Sequence, residues 1–221
     1  VNHRFGYNEV MKNIAVAWIV LSVSVFAGYR ADISVITPEI KQRMIKGNSY
    51  REGCPVGLKE LRYLRIRHKN FSGQEQWGEL IVHQEVADEV VKIFEALYEA
   101  DYPIYQMRLV SDYQGKDWQS IEADNTSAFN CRRAIGSRSY SKHAYGKAID
   151  INPIENPYIS RSGHISHKAS LVYRKRVHKN DTAEDRAVLL SEDKAVGIFK
   201  KYGWQWGGDW SGVKDYQHFA K

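Results

Sequence analysis

Two short stretches bring together side chains able to hold a metal ion and to move a proton. Ser141-Lys142-His143-Ala144-Tyr145-Gly146-Lys147-Ala148-Ile149-Asp150 sets an imidazole and a carboxylate on either side of a glycine turn, and Asp215-Tyr216-Gln217-His218 sets a second such pair near the C-terminus. Imidazole nitrogen and carboxylate oxygen are both zinc donors, and a catalytic zinc takes three protein ligands while keeping a fourth position open for water. Two histidines and one aspartate supply those three. The carboxylate left over is then free to take a proton from water and pass it to a leaving amine, the acid and base work of amide hydrolysis. Each pair also has an ordinary explanation, because a His beside an Asp is common as a surface pair or a satisfied core pair. Residue type alone leaves that choice open.

The spacing narrows it. Ser141, His143, Gly146, Ala148 and Asp150 match S-x-H-x-x-G-x-A-x-D, and five fixed positions arise by chance in a chain of this length about once in 10,000. The pattern resembles the signature of the zinc D-alanyl-D-alanine carboxypeptidases of VanY type and their relatives among phage and bacterial endolysins. Phe129-Asn130-Cys131-Arg132, Asp150-Ile151-Asn152-Pro153, Asn156-Pro157-Tyr158, Trp204-Gln205-Trp206-Gly207-Gly208-Asp209-Trp210 and His218-Phe219 follow in the order of the endolysin-related branch, so the likeness runs from about Cys54 to the end.

The resemblance implies one zinc ion on His143, Asp150 and His218, with Asp215 as general base three residues before the last ligand. Many members carry Glu at that place; Asp is one methylene shorter, which requires a closer backbone or a relaying water. Within the Phe-Asn-x-Arg stretch, Arg132 is the candidate partner for the oxyanion, with a structural salt bridge or a clamp on a substrate carboxylate as its other readings. Ser141 either fixes the turn or touches substrate, and Tyr145 is a candidate cleft residue. The family likeness further implies a small mixed α+β domain whose antiparallel sheet, flanked by helices, carries the zinc. The expected substrate is a D-Ala-D-Ala or L-Ala-D-Glu bond in the peptidoglycan stem peptide. The alternative is a peptidoglycan-binding module that keeps the fold without turnover.

Those side chains must be positioned by regular elements. Val86, Val90, Ile93, Phe94 and Leu97 recur at helical spacing within Gln84 to Ala100, which predicts an amphipathic helix ended by Pro103. Ile104 to Val110 and Ala148 to Ile151 read as strands. Ser111 to Thr126 reads as a loop and Asp32 to Asn70 as a loop-rich lead-in with a helical turn or two. Asn152 to Thr182 is a polar, basic connection, and Ala183 to Tyr202 reads as one helix stopped by Gly203. Among the aromatic residues that follow, Trp204 and Trp206 are expected in the core, with Gly207 and Gly208 allowing a sharp backbone path. His164, His167 and His178 are expected to be exposed. Cys54 and Cys131 are left as an open pair.

With 221 residues, 43% hydrophobic and 26% charged, and a mean hydropathy of -0.52, the chain has the makings of a packed core. That composition excludes extensive disorder and a multi-span membrane protein; two cysteines exclude a disulfide-dense scaffold. The division read from sequence is residues 1 to 27, a lead-in over 28 to 53, and a peptidase domain over 54 to 221. Ile14 to Tyr29 carries no charge and follows Met11, Lys12 and Asn13. It reads as a secretory signal ending near Val25 and Ala27, or else an uncleaved anchor, with translation starting at Met11. Either reading sends the domain out of the cytoplasm, to the periplasm or cell wall. The net charge of +6 suits an anionic wall, and the basic run from Arg174 to Lys179 reads as solvated surface. The expected partner is the stem peptide, with no nucleic acid, a monomeric chain, and membrane contact only through an uncleaved N-terminal segment.

Overall fold

A computed structural model describes Val1, residues 28–134 and residues 136–221; the N-terminal signal reading therefore lies almost wholly outside the described residues. The chain runs β1 (Ala31–Val35), α1 (Pro38–Lys46), β2 (Leu61–Lys69), β3 (Glu75–His83), α2 (Ala87–Glu99), β4 (Gln106–Met107), α3 (Asp117–Glu122) and β5 (Asn125–Thr126). It continues with β6 (Ala148–Asp150), β7 (Tyr158–Ile159), α4 (Ala183–Ala187), α5 (Lys194–Lys201), β8 (Gln205–Trp206), β9 (Lys214–Asp215) and β10 (His218–Ala220). This mixture of helices with mainly antiparallel sheets is the α+β class read from the sequence.

Helix α2 forms where the periodicity places it. Its buried face is Ala87, Val90, Ile93, Phe94 and Leu97, and Asp88 and Glu89 occupy the first turn, where acidic groups meet the positive end of the helix dipole. The stop comes before Pro103: Asp101 turns left-handed at φ 53, and Tyr102 N–H reaches back to Leu97 O.

The lead-in reading fails. β1, β2 and β3 form an antiparallel sheet in that order, and α1 lies between β1 and β2 in the chain, with Thr37 Oγ1 capping Ile40 N–H and Pro38 opening the helix. Leu64, Ile66 and His68 of β2 face inward while Arg65 and Arg67 face outward over the Trp77 ring. The expected strand over residues 104–110 shrinks to β4, because Asn125 pairs with Arg108 through both its N–H and its C=O and a 3-10 turn starts at Val110. The expected helix over 183–202 is two helices. Leu189 N–H goes to Asn156 Oδ1 and Leu190 N–H to Asp193 Oδ2, so side chains take the donors a continuous helix would have used.

A second antiparallel sheet has the order β6-β10-β8. Its register pairs His218 with Asp150 and Phe219 with Ile149 and Trp206. Residues opposite one another across a ladder share a face. Phe219 and Ile149 are therefore sent together into the core, fully buried, and Phe219 stacks on Phe199 of α5 with ring centroids 3.9 Å apart. Each such burial contributes roughly 2 kcal/mol. The other face carries His218 and Asp150.

Cys54 and Cys131 form a disulfide with a Cα–Cα distance of 5.8 Å across a separation of 77 residues. A loop of that length restricts the unfolded chain strongly. Replacing both residues by serine is expected to lower unfolding free energy by about 2–4 kcal/mol, as a shift of the urea midpoint measured against wild type.

Asp124 and Glu155 form a buried carboxylate pair beside Tyr173. Glu155 is pushed up to about 9, by burial first and by the charge of Asp124 second. The folded state therefore holds a proton on Glu155 that the unfolded state releases above its ordinary range near 4.5. Its contribution is complete below that range and is lost as pH rises through about 9, at up to ~1.4 kcal/mol per pH unit. Glu155→Gln keeps the group neutral, so the stability difference between variant and wild type should rise between pH 6 and pH 9 in urea titrations; a pH-independent difference would contradict this.

Candidate metal centre

The signature turn is built from its own residues. Ser141 Oγ accepts the His143 N–H at 3.3 Å and so caps the 3-10 turn Lys142–Tyr145, the turn-fixing role among the two readings for Ser141. Gly146 then takes φ +65, and a Cβ there would lie 2.6 Å from His83 N, so glycine alone fits. Its carbonyl accepts the His83 N–H at 2.9 Å, which locks the turn to the first sheet. Ala148 is fully buried. Asp150 is held from both sides, by β10 in register and by paired backbone hydrogen bonds with Ser127 of 2.9 and 2.8 Å.

Three donors converge above this frame. His143 Nε2 lies 3.1 Å from Asp150 Oδ2, His218 Nδ1 lies 2.9 Å from Asp150 Oδ1, and the two ring nitrogens are 3.2 Å apart. Among the described residues this is the one group of three or more such donors gathered within 4.8 Å. The edge of a zinc tetrahedron with bonds near 2.0–2.1 Å is about 3.3 Å, close to these spacings. His143 Nδ1 donates to Ala128 O at 2.6 Å, so the Nε2 lone pair is left facing the centre, as a metal-ligating histidine requires. Two imidazoles and one carboxylate, nearly closed to solvent, form a donor set that suits zinc.

The electrostatics follow from this crowding. Burial acts to raise the Asp150 pKa, but the His143 and His218 rings outweigh it and hold the carboxyl far below its ordinary range. Burial lowers His143, and Asp150 more than offsets that and draws it up. Asp215 is pushed up to about 6, by burial first and by the charge of Asp150 second. Its backbone lies against Gly207, where an added Cβ would come within 2.3 Å of Asp215 O. Gln217 Nε2 donates to Asp215 Oδ1 at 3.2 Å. Asp215 therefore sits beside the three donors as a second carboxylate, outside the ligand cluster itself.

Arg132 comes from the segment leading into the turn. Its guanidinium pairs with Asp117 at the start of α3, and its charge reaches His143, lowering the pKa there. Asp117 also accepts from Asn130 Nδ2 at 2.8 Å. Asp117 lies in the stretch that the sequence predicts as loop, 15 residues before the arginine it holds, so no sequence signal points to it. Tyr145 is 38% exposed and Trp210 37% exposed, the latter with its ring centroid 5.5 Å from that of His218. Tyr158 pairs across β7 and β9 with Asp215. Trp204 and Trp206 are core residues as expected.

The remaining motif residues are structural. Asn152 and Asn156 are fully buried; Asn156 Nδ2 donates to Ile151 O, Asn152 O and Ala187 O. One expectation for the histidines is corrected: His167 is half-buried and stacks on Trp118 at 3.9 Å. His178, though exposed, contacts Asp193 through Nε2 at 3.1 Å.

The fold and the site together define a small α+β domain whose antiparallel sheet and signature turn gather a His-Asp-His cluster with the donor set to hold a metal ion. Residues 135–221 match the family model described as D-alanyl-D-alanine carboxypeptidase. His143, Asp150, Asp215 and His218 all lie inside the matched span, and Arg132 lies just before it. No curated protein and no solved structure matches the chain.

Proposed function

We propose that this chain is an exported, zinc-dependent peptidase that hydrolyses one amide bond in the stem peptide of peptidoglycan. The observation that carries the reading is the convergence of His143 Nε2, Asp150 and His218 Nδ1 with Asp215 alongside. His143, Asp150 and His218 would hold the ion; zinc in that place acidifies water and polarises the scissile carbonyl.

The protein's own groups do the rest. Asp215 accepts the proton of the attacking water and returns it to the leaving amine, a transfer that needs a carboxylate outside the ligand set. Arg132, braced by Asp117, supplies fixed positive charge where the carbonyl oxygen becomes anionic. Asn130 shares Asp117 with it, so the guanidinium is aimed before substrate arrives. The exposed ring of Trp210, beside that of His218, offers a face for a peptide to lie against, and Tyr145 is exposed on the turn that carries His143. The disulfide favours an oxidising compartment and so supports export.

The test is hydrolysis of purified muropeptides bearing intact and trimmed stems, with products weighed by mass spectrometry. Loss of one terminal D-alanine assigns a D-Ala-D-Ala carboxypeptidase, and a cut between L-Ala and D-Glu assigns an endopeptidase. Zinc bound without any hydrolysis would replace this reading by a binding module.

A further inference from the structure

The net charge of the chain resides in one connection. Residues 156–180 contain six Lys and Arg and no Asp or Glu, while the other 26 of the 32 basic residues are matched in number by the 26 acidic ones. Arg176 is drawn inward, where it donates to Glu155 O, Asn156 Oδ1 and Leu189 O. Arg161, Lys168, Arg174, Lys175 and Lys179 stay exposed. The acidic groups that follow are engaged elsewhere, Asp181 by Arg186 and Asp193 by His178. Among the described residues none of the five exposed cations makes an ion pair.

The same stretch exposes aliphatic side chains. Leu171 is 46% exposed, Val172 68% and Val177 45%, the first two on the 3-10 helix Lys168–Arg174. Single exposed aliphatics are ordinary, but three within seven residues, in a segment that carries five exposed cations without ion pairs, set this stretch apart. Its scaffold is fixed rather than loose: Ile165 and Ser170 are buried, Arg174 donates to Gly163 O, and His167 stacks on Trp118.

Unpaired cations suit any polyanion, whereas exposed leucine and valine gain only from an apolar medium. An anionic lipid bilayer offers both, with phosphates at the surface and acyl chains a few ångströms beneath. We propose that the 161–179 connection is a docking surface for an anionic bilayer. Leu171 and Val172 enter the headgroup boundary, and Lys168, Arg174 and Lys175 meet lipid phosphates with their stems lying along the apolar layer. This contact is separate from the apolar run at residues 14–29, and β7 at the root of the connection pairs with Asp215, so docking would place the metal centre near the membrane.

The test is co-sedimentation of the full chain with phosphatidylcholine vesicles, with and without phosphatidylglycerol. Binding should require phosphatidylglycerol and weaken with added salt. Lys168→Gln/Lys175→Gln should weaken it about 25-fold, from about fivefold per cation, and Leu171→Ser/Val172→Ser about tenfold or more. Lys41→Gln/Lys46→Gln on α1 should leave it unchanged, and all variants should keep the wild-type melting curve. The proposal would be overturned by loop variants that bind as wild type, by equal binding to pure phosphatidylcholine, or by binding to soluble polyphosphate with none to vesicles. Equal weakening by the α1 variant would do the same, since charge anywhere would then suffice.

Discussion

His218→Ala is expected to reduce bound zinc from one ion per chain to nearly none and to lower muropeptide hydrolysis at least about ten-thousandfold, since two protein ligands remain where a catalytic site needs three. The loss should be local. His218 lies on the site face of β10, while Phe219 and its partners Ile149 and Trp206 hold the strand from the other face. Far-ultraviolet circular dichroism should therefore match wild type while metal analysis and product formation fall together. A variant that retained one zinc ion and its rate would remove His218 from the ligand set.

Asp215→Asn separates metal binding from proton transfer. The amide has nearly the same size and still fits against Gly207, where the backbones are in close approach, so zinc content should stay at one ion per chain. The rate should fall by about 10²–10⁴, the usual worth of a positioned general base. Asp215→Glu tests the shorter side chain directly. It supplies a longer carboxylate at the same place and should retain more activity than the Asn variant. Zinc retained with an undiminished rate in the Asn variant would show that another group moves the proton.

The candidate site is legible in the sequence where it is local. The spacing from Ser141 to Asp150 encodes a capped turn, a glycine with φ +65 and the strand that follows, all within ten residues. What no spacing contains is the register that sets His218 against Asp150; the family likeness joined them, and the sheet shows how. The first sheet was missed for a different reason. The inward alternation of Leu64, Ile66 and His68 is present, but arginines alternate with it and resemble polar loop until their partners are known. Arg65 and Arg67 lie over Trp77, which belongs to the next strand. The break between α4 and α5 is set by Asn156, 33 residues before the Leu189 donor it captures, a distance over which helical periodicity carries no signal. Asp117 was hidden in the same way, its role fixed only when α3 comes to rest beside Arg132.

In the proposed function three side chains, from two strands and one turn, hold a single zinc ion. Diffraction from crystals of the full chain, collected on both sides of the zinc absorption edge, tests this directly. One anomalous peak is expected within about 2.0–2.2 Å of His143 Nε2, an Asp150 carboxylate oxygen and His218 Nδ1. No peak there in crystals grown with zinc, or a peak held by other residues, would contradict the account.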